Sequence, residues 1–154
     1  MTKPNPHAKH VIEFGDMHDR RNTAWKETQA RKGRVLLVDD DAAVLAASKL
    51  LFEIDGFTVI AAASPEEAEI GLESSVEPID LVITDYHLRH ERTGADVIAT
   101  VRKRQGRAVP AIMLTGDTSP MRLQADLPHI EVLSKPVQPD RLFAMIQRLL
   151  READ

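Results

Sequence analysis

Asp39, Asp40 and Asp41 stand in a row directly after four apolar residues, Val35 to Val38. Three adjacent carboxylates repel one another, so a cation is expected among them. Oxygen-only ligands on the end of a rigid strand suit a hard divalent ion, Mg2+ above all. Asp is also a good helix N-cap and a helix follows, so one or two of the three could serve only as caps. Further polar groups recur after apolar runs. Asp85 follows Ile79–Thr84, Thr115 follows Val109–Leu114, and Lys135 follows His129–Ser134. Carboxylates able to hold a metal, one more carboxylate, a hydroxyl donor and an ammonium form an inventory for phosphoryl transfer. In such a set a carboxylate can act as the nucleophile and become an acyl phosphate.

These groups share a site only if the elements behind them bring them together. The run Val35–Val38 has no solvent face and reads as a strand of a parallel sheet buried on both sides. A helix is expected over about 42–54, with Val44, Leu45, Leu51, Phe52 and Ile54 available for burial, closed by Asp55-Gly56. Residues 57–62 form a second strand. Ser64-Pro65-Glu66-Glu67 then starts a helix to about Glu73, with Ser as cap, Pro in the first turn and acids against the dipole. The spacing predicts strands at 79–84, 109–114 and 129–134, the last more alternating, as suits an edge. It also predicts helices at about 94–105, at about 119–126, and at 139–151, where Leu142, Phe143, Ile146, Leu149 and Leu150 face inward. Strand and helix alternate five times, the pattern of a doubly wound α/β sheet with right-handed crossovers. In such a sheet all strand ends named above open onto one crevice.

The 154 residues suffice for one domain with something left over. No cysteine is present, which removes disulfides, thiol nucleophiles and Cys-zinc sites. No apolar run approaches the roughly 20 residues that span a bilayer. The first 30 residues lack the apolar centre of a secretory signal, so a cytoplasmic location is expected. Charge is uneven. Residues 1–34 hold eight Lys/Arg against four Asp/Glu, a balance of +4, so the remainder carries −8 against the whole-chain −4. Aromatic residues in this leader are limited to Phe14 and Trp25, too few for interleaving, which speaks against nucleic acid as its partner. Residues 16–32 have helix-forming composition, with Met17, Arg21, Ala24/Trp25 and Thr28 near one face. That stripe is thin, so the segment needs a surface to dock on, either the domain itself or a dimer mate.

Val35-Leu-Leu-Val-Asp-Asp-Asp41, Leu81-Val-Ile-Thr-Asp85, Ile112-Met-Leu-Thr-Gly116 and Ser134-Lys-Pro136 together resemble the receiver domain of bacterial two-component response regulators, closest in feel to receivers of hybrid histidine kinases. The resemblance divides the chain into a basic extension (1–33), a receiver domain (34–151) and a short tail (152–154). It implies a flavodoxin-like, five-stranded parallel sheet in the order 2-1-3-4-5. It also implies roles: Asp85 as phosphoacceptor from the phosphohistidine of a histidine kinase or phosphotransfer protein; Asp39, Asp40, Asp85 and the His87 backbone carbonyl as Mg2+ ligands. Thr115 would bond the phosphoryl group, Lys135 would neutralise one of its oxygens, and the Lys135–Pro136 peptide would be cis. Such a protein is a switch that catalyses only its own phosphotransfer and dephosphorylation. The sequence departs from the family pattern at Val132, where an aromatic is usual, and at Arg89, where proline is usual. The loop before Gly94 is one residue longer, and His87 and Asp117 fill the two variable positions beside the acceptor. A second resemblance, to haloacid-dehalogenase-like Mg2+-dependent phosphatases using Asp39, rests on Asp39-x-Asp41 with a later Thr and Lys. It lacks the expected Thr at Ala43 and leaves Asp85 without a role.

Overall fold

A computed structural model describes residues 32–116 and 128–153. The helix expected over 119–126, Asp117 and the leader around Trp25 lie outside the described residues. In chain order the elements are β1 (Arg34–Val38), α1 (Ala42–Ile54), β2 (Thr58–Ala62), α2 (Pro65–Glu73), β3 (Leu81–Asp85), α3 (Gly94–Gln105), β4 (Ala111–Thr115), β5 (Ile130–Ser134) and α4 (Pro139–Ala153). All strand pairs are parallel and the order is β2-β1-β3-β4-β5, so β5 is the expected edge. Because successive side chains of a strand point to opposite faces, β1 feeds two cores. Leu36 and Val38 join Val97, Ile98 and Val101 of α3 on one face. Val35 and Leu37 join Phe52 of α1 and Ile146 and Leu149 of α4 on the other.

Local signals account for the helix starts. Ser64 Oγ accepts from the Glu67 amide at 3.1 Å, with Pro65 in the first turn. Thr93 and Asp96 form a capping box on α3, each side chain accepting from the other's backbone N–H. Strand limits depart from expectation where a backbone group has another partner. Ile79 exchanges hydrogen bonds with the Gln105 side chain, at 2.6 and 3.0 Å, so β3 begins only at Leu81. Pro110 has no N–H to give, and β4 begins at Ala111. The last helix runs to Ala153, two residues past expectation, so the proposed tail is largely helical.

The largest correction concerns α1. Of the five apolar residues assigned to burial, only Phe52 is buried; Leu45 is half-buried, while Val44, Leu51 and Ile54 are exposed, Ile54 at 74%. The apolar residues of this helix spread round more of its circumference than one sheet face covers. No described helix is long and apolar enough to cross a membrane.

Candidate functional site

The register of the sheet brings the strand ends together. Val38 at the end of β1 pairs with Thr84 on β3, Asp85 pairs with Leu114 on β4, and Thr115 pairs with Ser134 on β5. Asp39, Asp85 and Thr115 are therefore neighbours at one rim, all three buried, and Asp40 is half-buried beside them. Each of Asp39, Asp40 and Asp85 offers a carboxylate oxygen within 4.8 Å of the others. The row of three acids divides. Asp41 Oδ1 accepts from the amides of Ala43 and Val44 at 3.0 and 3.1 Å, so this residue caps α1. Asp39 Oδ1 accepts from the Asp41 amide at 2.8 Å, which fixes its direction toward the rim.

Lys135 follows β5, and its Nζ stands 2.9 Å from Asp85 Oδ1. That buried oxygen nevertheless lacks an aligned hydrogen-bond donor, so the contact is an ion pair off the hydrogen-bond direction. Burial pushes the Asp85 carboxyl up from 3.8 to about 6; Lys135 pulls against this, and Asp39 adds to it. For Lys135 burial acts downward, but the facing carboxylates of Asp85, Asp39 and Asp40 outweigh it and hold the ammonium above its ordinary value. The Lys135–Pro136 peptide is cis, as expected. All-oxygen donors and surplus negative charge fit a hard divalent cation.

The loop after β3 is held by the Leu88 amide donating to Arg92 O at 3.0 Å and the Gly94 amide donating to Tyr86 O at 2.7 Å. His87 is exposed, with its ring edge-on to Tyr86, so its side chain stands apart from the acidic group. His90 and Glu91 take left-handed φ angles of 63° and 61°, which accommodates the longer loop. Gly94 is required where α3 meets β3: a Cβ there would run into the Asp85 carbonyl oxygen and the Thr84 side chain. One contact was not anticipated. Arg89 reaches back to the first strand end, its Nη2 donating to Asp40 O at 3.3 Å and its Nε 3.8 Å from Asp40 Oδ2. The only signal in the sequence was a cation where proline is usual.

The chain matches the family model "Response regulator receiver domain" over residues 35–147. It belongs to that family. The receiver is 34% identical over 119 residues to the alginate biosynthesis transcriptional regulatory protein AlgB of Pseudomonas aeruginosa, covering 75% of this chain and 25% of that protein. It is 34% identical over 122 residues to the transcriptional regulatory protein CpxR of Escherichia coli, covering 78% of this chain and 50% of that one. The chain thus spans a quarter to a half of the length of these curated relatives. Among solved structures it is similar to a response regulator receiver domain protein of Clostridium thermocellum, with TM-score 0.68 and 27% identity over 79% of this chain and 96% of that one. The receiver domain of the hybrid histidine kinase CckA gives TM-score 0.63 and 27% identity over 77% and 99%. The phosphatase reading finds no support: the family match is to receivers, and the Asp41 carboxylate it requires is engaged in capping α1.

Proposed function

We propose that Asp85 is the phosphoacceptor of this receiver, taking a phosphoryl group from the phosphohistidine of a histidine kinase or phosphotransfer protein. The observation that carries this is the position of Asp85: a carboxylate at the tip of the central strand, within 4.8 Å of two further acids and paired with Lys135. Mg2+ would be held by Asp39, Asp40, Asp85 and the His87 carbonyl, and when bound it draws negative charge off the phosphoryl oxygens. The protein's own groups do the rest. A carboxylate oxygen of Asp85 attacks phosphorus as the N–P bond of the donor breaks, and the freed imidazole takes up a proton. Burial raises the Asp85 carboxyl of the metal-free site to about 6, and at neutral pH it is still ionised and nucleophilic. Lys135 carries the charge that balances the new phosphoryl oxygens, and the Thr115 hydroxyl is the donor from β4.

The reaction is confined to the protein's own modification, as in a switch read by a partner, and the site of action is the cytoplasm. Incubation with a small acyl phosphate and Mg2+, followed by intact-mass measurement, tests the reading. The wild type gains one phosphoryl group and Asp85→Asn gains none. Equal gain in both proteins would overturn the assignment.

A further inference from the structure

The outer face of α1 is apolar and unpartnered among the described residues. Val44 and Leu51 lie two turns apart along it and Ile54 one turn further, with Leu50 beside them; Leu50 is 59% and Ile54 74% exposed. A groove of about 790 Å3 joins this face to the acidic rim, passing Val44 and Leu51 of α1 and Leu142 of α4. The chain meets the same helix from below. Lys32 Nζ is 3.5 Å from Asp55 Oδ2, just past the end of α1, and 5.8 Å from the centre of the Phe57 ring. Gly33, at φ 138°, supplies a conformation that L side chains rarely adopt directly before β1.

We propose that residues 16–31 of this chain lie along the exposed face of α1. The lengths agree: sixteen residues in a helix extend about 24 Å, and the thirteen of α1 about 20 Å. A helix running up from the Lys32–Asp55 contact would bring position 25 about 10 Å along α1, level with Ser48 and between Val44 and Leu51. The sequence of the segment places Met17, Ala24 and Trp25 near one face. This arrangement is independent of whether Asp85 accepts a phosphoryl group. Any partner that docks on α1 must first displace the leader.

Trp25 is the single tryptophan of the chain, so its emission reports on the leader alone. Fluorescence of the full chain is compared for wild type, Leu51→Glu, Ile54→Glu and Ile70→Glu. Ile70 is 62% exposed on α2, on the opposite face of the sheet, and serves as the control. The expected result is blue-shifted emission in wild type and Ile70→Glu, independent of protein concentration, and a red shift with stronger iodide quenching in both α1 variants. Far-UV circular dichroism verifies that each variant is folded; the substituted side chains are all exposed. Solvent-like emission in the wild type overturns the proposal, as does a blue shift that both α1 variants retain. A blue shift that appears only as the protein dimerises assigns the face to a second copy and equally overturns it.

Discussion

Replacing Asp85 by Asn should make the domain more stable at pH 8 and have little effect at pH 4. Folding raises the Asp85 carboxyl from 3.8 to about 6 through burial. A group whose folded value lies above its unfolded one contributes stability that is fully present below the unfolded value and is lost as pH rises through the folded value. The window here runs from about 3.8 to about 6. Each pKa unit is worth about 1.4 kcal/mol, so ionised Asp85 strains the folded state by up to ~3 kcal/mol. Asp85 is 4% exposed, so water screens little of this. The figure already contains the attraction of Lys135, which the shift reports net. Asparagine keeps the shape of the protonated acid and removes the charge. In urea denaturation with a chelator present, Asp85→Asn should exceed wild type by about 1–3 kcal/mol at pH 8, with the difference shrinking toward zero by pH 4. A variant less stable than wild type at pH 8, or a gain of equal size at both pH values, would refute the electrostatic account of this site.

The division of labour among the three adjacent acids is testable by urea melts paired with Mg2+ titration by calorimetry: Asp41→Ala should lose about 1 kcal/mol of stability as a lost cap, with Mg2+ affinity almost unchanged. Asp40→Ala should show the reverse, an affinity loss with little change in stability. Gly94→Ala should destabilise by about 1–3 kcal/mol, because its Cβ meets the Asp85 carbonyl and Thr84; thermal denaturation measures this. Because the Asp85 carboxyl of the metal-free site is raised to about 6 and a divalent ion binds its ionised form, Mg2+ affinity measured by calorimetry should fall as pH drops below 6; an affinity unchanged from pH 7 to pH 5 would contradict the raised carboxyl.

The strands were legible because a run such as Val35–Val38 has no polar face to offer water, and the site was legible because its polar residues each follow such a run. What the sequence could not show was competition for individual groups. Ile79 reads as strand, yet its backbone is taken by Gln105, which lies 26 positions on. Asp39, Asp40 and Asp41 are chemically identical, and only the turn into α1 decides that the third caps while the first two face the rim. Arg89 comes to Asp40 across 49 positions of chain, a distance over which local pattern says nothing. On α1 the pattern misleads: apolar residues at helical spacing suggest a core stripe, whereas Leu51 and Ile54 face outward. Apolar character there records a surface, and the sheet does not cover it.

Reductive trapping with borohydride after phosphorylation, followed by peptide mapping, tests the central claim most directly, since an acyl phosphate on aspartate is reduced to homoserine. The account predicts homoserine at position 85 and at no other position. Homoserine at position 39 or 40, with Asp85 recovered intact, would contradict it.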